Sequence, residues 1–443
     1  MKKVIQIYPN ISMKKNKINI AIVGLGNIGS YLYKYLNKNK NYLAKKTNTI
    51  PNIIYVSAKN KLKKRKFSIP KSKWLKNYLD ATKKKNVDII VELIGGADGP
   101  AKNLVFSGLR NKINIVTANK ALISKHGDKL AKIAEKNKVN LEFEAAVCGG
   151  VPIIKSLKEG LVANSINKIY GIFNGTSNFI LTSMDKQNLE FKDALKKAQS
   201  LGYAEKNPIS DLNGDDVASK LKILTALSFN SYINNKDISV EGINKVDRTD
   251  INNANLLGYK IKLLGVSHLE NKKVTQRVNP YLIKKSSYIA KIDGVLNAVI
   301  IEGKPVGETV IQGEGAGPQA TTSALVSDIV SIIKGKVRPP FMVSANKRKK
   351  ISFENIDNKK FSAYLRIDVK DKHGVLSNIT KTLAKNKVSI KRLIQNPYKS
   401  KKNSSIVIIT HEVKDLLLIK TINQLSKKDY LIQKPKLIRI ENI

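Results

Sequence analysis

Residues 18–29 read INIAIVGLGNIG, a continuous apolar run that ends at once in a glycine-spaced turn. A run without polar alternation marks a strand covered on both faces, which is the habit of parallel sheets. Gly24 permits the tight turn, Gly26 lets a pyrophosphate approach the backbone, and Gly29 lets the following helix pack on the strand. Asn27 and Ile28 complete the loop, and SYLYKYLNK continues with helical spacing. The helix N-terminus then turns free N–H groups toward the phosphates. A chain that opens this way is committed to a doubly wound parallel sheet with a dinucleotide cleft at the strand ends.

The alternation continues. Strands are predicted at 52–57, 87–94, 113–117 and 140–144, with helices near 99–110 and 122–137. The second strand ends Ser57-Ala58-Lys59, followed by Lys61, Lys63, Lys64 and Arg65. An NAD site places an acid there for the ribose hydroxyls, and none is present. The cations favour a 2′-phosphate, hence NADP, with Lys59 nearest; they also read as ordinary solvated charge. Two loops lie at strand ends, Ile94-Gly95-Gly96 and Thr117-Ala118-Asn119-Lys120. Gly95 and Thr117 are expected beside the cofactor. Lys120 either points into the cleft or stays in solvent. The segment from Glu144 to Pro152, EAAVCGGVP, reads as a hinge, or as a bent backbone presenting carbonyls to a hard monovalent cation. Cys148 within it has no histidine placed nearby and reads as a packing residue.

A strand at 167–173 runs into Asn174-Gly175-Thr176-Ser177-Asn178, a small polar loop before helix FILTSM. Such a loop offers N–H groups and hydroxyls to a carboxylate. A helix at 190–201 is closed by Gly202. The stretch 202–221, GYAEKNPISDLNGDDVASKL, then sets Glu205, Asp211 and Asp216 ahead of Lys220, beside Tyr203. Pro208 and Gly214 predict a loop, with a helix from Asp215 or Asp216. Asp216 and Lys220 share a helix face at i, i+4, which by itself is an ordinary capping acid and ion pair. Joined to a dinucleotide fold, an ammonium among carboxylates can orient an amino acid and pass a proton to a carbonyl. Lys120 is expected to lower the Lys220 pKa, and Asp216 to hold Lys220 charged. The reaction class is hydride transfer on a small amino-acid aldehyde or alcohol. From Lys273 the pattern turns β-like, suiting a sheet used in subunit pairing. Gly313 to Gln319 leads a helix back to the nucleotide domain, with Gly317 expected at the cofactor.

The formal charge is +46, from 80 Lys and Arg against 34 Asp and Glu. Lysines are spread over every segment, with few arginine forks and no aromatic interleaving, so no specific nucleic-acid reader is expected. One cysteine excludes a disulfide within the chain and fits a reducing cytoplasm. Four scattered histidines show no zinc spacing. No apolar run reaches the roughly 18 residues of a membrane span. Residues 1–17 read as a basic N-terminal extension, with Met13 a second plausible start.

In this order, IAIVGLGNIGS, VTANKALIS, FEAAVCGGVPII, IFNGTSNFILTSM, GYAEKNPISDLNGDDVASKLKIL and GEGAGPQATTSALVSDIV resemble homoserine dehydrogenases of the monofunctional type, over about residues 18–335. Ala320 departs from the family, which more often shows proline there. The resemblance implies NAD(P)-linked interconversion of L-aspartate 4-semialdehyde and L-homoserine, in a cytoplasmic homodimer or homotetramer. It implies that Lys220 is the general acid/base and that Lys120 lies between cofactor and substrate. Glu205 would bind the substrate amino group, Asp211 and Asp216 would support the site, and Gly175 and Thr176 would lie near the substrate. It also places a Na⁺ or K⁺ site on Glu144, Val147, Gly149 and Val151. A non-catalytic NADP and amino-acid sensor is the alternative from another class.

Residues 346–360, NKRKKISFENIDNKK, are polar and charged and read as linker. Beyond them the order strand–helix–strand–strand–helix–strand looks like an ACT regulatory domain, with its loop at Asp371, Gly374, Val375 and Leu376. Such a domain implies an amino-acid effector, threonine being the natural one, or a dimerisation module without ligand. The expected organisation is an extension at 1–17 and a Rossmann domain at 18–150 plus about 312–340. A catalytic and dimerisation domain (α+β) follows at 151–311, a linker at 341–360, and a ferredoxin-like ACT domain at 361–443.

Overall fold

The computed structural model describes residues 16–234, 238–335, 337–398 and 400–443. The expected extension therefore lies almost wholly outside the described residues. The glycine-rich opening forms the predicted unit: β1 (Asn16–Val23) turns into α1 (Asn27–Thr47). Ile20 and Ile22 are fully buried, and each such side chain contributes about 1.5–3 kcal/mol of burial. Four parallel partners follow: β2 (Thr49–Ser57), β3 (Ile89–Glu92), β4 (Asn114–Thr117) and β5 (Leu141–Glu142). Their order is β2-β1-β3-β4-β5, so the strand order switches direction beside β1 and β3. Helices α2 (Pro100–Arg110) and α3 (Lys120–Asn137) cover the sheet. The strands from 87 and 140 are shorter than predicted, because the pairing stops where loops bend into the cleft.

A short α4 (Ile153–Lys155) precedes the second layer. There β6 (Ser165–Ile172) leads into α5 (Gly175–Gln187). The expected loop at 174–178 is instead a helix start: Asn174 is the N-cap, its Oδ1 accepting the Ser177 N–H at 2.7 Å. Next come α6 (Phe191–Ser200), α7 (Ile209–Asn213) and α8 (Asp215–Ser228). The predicted loop between Pro208 and Gly214 is thus one helical turn. Pro208 starts it and Gly214, at φ 89°, ends it.

The remaining elements are β7 (Ser239–Val240), α9 (Arg248–Leu256), β8 (Tyr259–Glu270), β9 (Lys273–Lys284), β10 (Leu296–Lys304), β11 (Gly307–Glu314) and α10 (Pro318–Ile333). They are followed by β12 (Ser352–Phe353), β13 (Lys360–Lys370), α11 (Val375–Lys385), β14 (Ile390–Tyr398), β15 (Ser400–Thr410), β16 (Val413–Lys414), α12 (Asp415–Leu425) and β17 (Lys436–Ile440). One sheet runs through both regions in the order β11-β10-β6-β8-β9-β17-β13-β15-β14. Its last four strands, with α11 and α12, are the ferredoxin-like βαββαβ domain. Parallel pairing of β17 with β9 joins that domain to the catalytic sheet.

The polar segment read as linker is not a free tether. Arg348 is buried, donates to Asp128 at 2.6 Å, and lies over the rings of Tyr232 and Phe341. β12 then pairs with β9. Charge made this stretch look solvated, but its guanidinium has a carboxylate and two aromatic faces to pack against.

Candidate active site

The β1–α1 turn is closed tightly on one side and open on the other. Gly24 has φ 113°, and a Cβ there would strike the Leu93 carbonyl; one at Gly29 would strike the Gly24 carbonyl. Gly26 faces open space and caps α1 without a side-chain bond. The helix therefore presents unpaired N–H groups to a cavity of about 800 Å³ lined by Gly24, Gly26, Lys59, Lys61, Lys63 and Arg65. This fits a dinucleotide, and the cations stand where β2 ends without an acid. Asn27 lines an adjoining recess, whereas Ile28 faces the catalytic cavity.

Two predicted cofactor residues, Gly95 and Thr117, share one buried acid. Glu92, fully buried, accepts the amides of Ile94 and Gly95 at 2.7 and 3.0 Å and the Thr117 hydroxyl at 2.5 Å. Glu92 therefore holds the Gly95 amide and the Thr117 hydroxyl, with Gly95 itself exposed beside Ile94 of the cavity wall. Asn119 extends the same stitching, donating to the Gly96 carbonyl at 2.7 Å while capping α3. Its capped helix begins with Lys120, which is thereby aimed into the cleft.

The second cavity, of about 600 Å³, lies where the Rossmann and catalytic layers meet. It gathers Lys120, Gly175, Thr176, Tyr203, Glu205, Asp211, Asp216, Lys220 and Gly317. Asp216 is buried between two ammonium groups, Lys220 at 2.8 Å on Oδ2 and Lys120 at 2.8 Å on Oδ1. The Lys220 Nζ also donates to the Phe173 carbonyl at 2.5 Å. Burial raises the Asp216 pKa, but Lys220 and Lys120 outweigh it and hold the carboxyl well below its usual range. Burial alone would lower Lys220, yet the Asp216 charge and hydrogen bond hold it above its ordinary value. The expected lowering of Lys220 by Lys120 is not what governs it. The carboxylate stands between the two amines and takes one on each oxygen.

Asn174, which the motif reading left out of the site, organises these acids. Its Nδ2 donates to Asp211 Oδ1 at 2.7 Å and to Asp216 Oδ2 at 2.8 Å. Burial raises the Asp211 pKa, and the Asn174 bond opposes that rise. The signal was present as an asparagine directly before a helix start. Its two N–H bonds depend on tertiary folding and leave no spacing to read. Glu205 is exposed at the mouth, on a loop that Gln199 holds by the Glu205 carbonyl at 3.1 Å. Thr176 donates to the Tyr203 carbonyl at 2.6 Å, and Tyr203 packs on Phe179.

The turn from Glu144 lines the same cavity. Its carboxylate is buried and accepts the amides of Ile154 and Lys155 at 2.9 and 2.7 Å. Cys148 and Gly149 follow with positive φ, 54° and 47°, and Val151 donates to the Cys148 carbonyl at 2.9 Å. Each Glu144 oxygen accepts one amide and keeps a further lone pair, so a cation here would be met by that carboxylate together with main-chain carbonyls. Burial pushes the Cys148 thiol up, so it is no ready nucleophile. Of the effector residues, Asp371 is exposed, Gly374 has φ 81° before α11, Val375 enters the core, and Leu376 is exposed.

Comparison with known proteins agrees across the chain. Residues 24–144 match the family model "Homoserine dehydrogenase, NAD binding domain", 152–330 match "Homoserine dehydrogenase", and 363–429 match "ACT domain". The chain is 39% identical over 436 residues to homoserine dehydrogenase of Neisseria gonorrhoeae, spanning 96% of this chain and 99% of the relative. The Helicobacter pylori homoserine dehydrogenase is 36% identical, covering 97% and 100%. A solved homoserine dehydrogenase from Thiobacillus denitrificans superimposes with a TM-score of 0.90 at 34% identity, covering 96% and 99%.

Proposed function

The chain belongs to the homoserine dehydrogenase family, an NAD(P)-dependent oxidoreductase acting on a CH–OH group, and from that premise we propose how its residues share the chemistry. Lys220 is the proton donor to the carbonyl oxygen of L-aspartate 4-semialdehyde, and the acceptor when L-homoserine is oxidised. The observation that carries this is the buried Lys220 ammonium, kept charged at 2.8 Å from Asp216 on the wall shared by Glu205 and Thr176. Lys120 brings a second positive charge to the same oxygen side. Glu205, at the mouth, takes the substrate ammonium, and Thr176 and Tyr203 shape the wall. Asp216 orients both amines directly, and Asn174 braces it against Asp211.

The nicotinamide coenzyme, when bound, supplies or accepts the hydride. Gly24, Gly26 and the α1 N-terminus would hold its pyrophosphate. Lys59, Lys61, Lys63 and Arg65 favour a 2′-phosphate, so NADP is the proposed preference. A monovalent cation would meet Glu144 and the carbonyls of Val147, Gly149 and Val151. The ACT domain supports feedback by threonine, and the family supports a homo-oligomer. Among the described residues no helix is long and apolar enough to cross a membrane.

Lys220→Ala tests the central assignment. Turnover with aspartate semialdehyde should fall about 10²-fold or more, with NADPH affinity unchanged in a binding titration. Normal turnover in that variant would remove Lys220 from the mechanism.

A further inference from the structure

The catalytic cavity has one wall that neither the acid-rich turn nor the nucleotide layer supplies. Val295, on the loop from Ile292 to Leu296, lines it alongside Gly175 and Thr176. The approach is close: a Cβ on Gly175 would lie 2.7 Å from the Val295 carbonyl oxygen. Gly175 is the first residue of α5, so the loop is laid directly on that helix start. Val295 is half-buried there and brings branched apolar bulk to the side that holds Thr176.

The loop is held from behind by a buried cation. Lys262 of β8 is 2% exposed, and its three N–H donors are all committed. They meet Asn178 Oδ1 at 3.0 Å, the Ile292 carbonyl at 2.5 Å and Asp293 Oδ1 at 3.0 Å. Burial pulls the Lys262 pKa below its ordinary value, against the pull of the Asp293 charge. Asn178 is buried too, and donates to the carbonyls at both ends of the loop, Ile292 at 3.2 Å and Leu296 at 3.3 Å. Thr182, one turn further along α5, accepts the Gly294 N–H at 3.2 Å. Ile292, Asp293, Gly294 and Leu296 are thus each tied to α5 or to Lys262, and Val295 is what the loop presents to the cavity. Lys262 does not line the cavity itself, so its influence passes through the loop.

A wall held in this way can measure length. The reacting carbon has to reach Lys220 while the ammonium end stays with Glu205 at the mouth. Room for one more methylene then depends on what stands beside the chain. A pocket discriminates a single methylene by about 10–200-fold when its wall does not yield. A loop pinned on both sides of Val295 yields little.

We propose that Val295 is a specificity-determining residue that limits substrate chain length, and that Lys262 is the positioning residue that holds it in place. The proposal rests on the reading of this cavity as the substrate site. The probes are L-homoserine and its one-methylene homologue, L-2-amino-5-hydroxypentanoate, each oxidised with NADP⁺ by the intact protein. Wild type should prefer L-homoserine. In Val295→Ala the ratio of the two kcat/KM values should fall about tenfold or more, with NADP⁺ affinity unchanged in a binding titration. Lys262→Met should raise the KM for L-homoserine about fivefold or more and lower the same ratio, with kcat within about threefold of wild type. Thr182→Val keeps the buried charges paired and frees Gly294; it should lower the ratio as well, and it stands in for Lys262→Met should that variant fail to fold. An unchanged ratio in Val295→Ala and Thr182→Val, with wild type active on L-homoserine, overturns the wall and leaves the substrate site standing. A fall in kcat alone in Lys262→Met, with KM and the ratio unmoved, overturns the positioning role. A wild type that oxidises neither alcohol overturns this proposal and the substrate site together.

Discussion

Asp216 decides the charge state of Lys220, the proposed proton donor. Lys220 is surrounded by structure that on burial alone would drive its proton off; the carboxylate at 2.8 Å reverses that. The sign of the pH dependence follows. On the proposed assignment aldehyde reduction needs the ammonium, and a pKa held above the ordinary 10.5 keeps it through neutral and mildly alkaline pH. Loss through this group begins only as pH rises past the usual lysine range. Asp216→Asn removes the largest influence that raises Lys220 and leaves the burial. Its alkaline limb in a pH–kcat profile should shift down by about one unit or more, with a lower plateau. A limb that stays in place would mean another group sets Lys220. From sequence, the Asp216–Lys220 pair was legible because i, i+4 spacing on a helix fixes proximity. The Lys120 contact with Asp216 was not, because 96 residues separate the partners along the chain and only the packing of α3 on the catalytic layer closes the gap.

Elements were legible in proportion to their local signals. The apolar run of β1 and the glycines after it announce themselves, and the Gly24 geometry shows why. At φ 113°, with the Leu93 carbonyl against the missing Cβ, alanine is strained twice over. Gly24→Ala should weaken NADPH binding about tenfold or more and lower the thermal midpoint, whereas Gly26→Ala, in open space, should fold with near-normal stability. Equal stability losses in the two would show that crowding at Gly24 is unimportant. By contrast β8 has Gly265 at its middle and no clean alternation, since its buried run includes Lys262 and Ser267. Lys262 is admitted there because Asn178, the Ile292 carbonyl and Asp293 meet its ammonium. Likewise α7 is a single turn bounded by Pro208 and Gly214, residues that locally signal a loop.

At the scale of the whole molecule, the two halves are locked by ions as well as by strands. Arg366 of β13 is almost wholly buried and meets Asp250, Asp368 and Asp247. Asp247 and Asp250 are the capping box of α9, so the ACT sheet grips the start of a catalytic-side helix. Removing one partner of such a cluster strands the others: Arg366→Met should cost about 3–5 kcal/mol, read as an earlier unfolding transition in urea. An unchanged transition would mean the cluster is solvated in solution. The composition showed the acids and the arginine, but nothing local said that residues more than a hundred positions apart share one buried charge centre.

The parallel seam between β9 and β17 has a further consequence. With β8 on one side, β9 relies on β17, β12 and β7 to occupy its other side, and nearly every side chain along it is covered. Cutting away the ACT domain would therefore bare the edge of β9 at Tyr281 and Leu282, where β17 now pairs, an open stretch that can stick to its own kind. In this chain the ACT domain doubles as the guard rail that covers that edge.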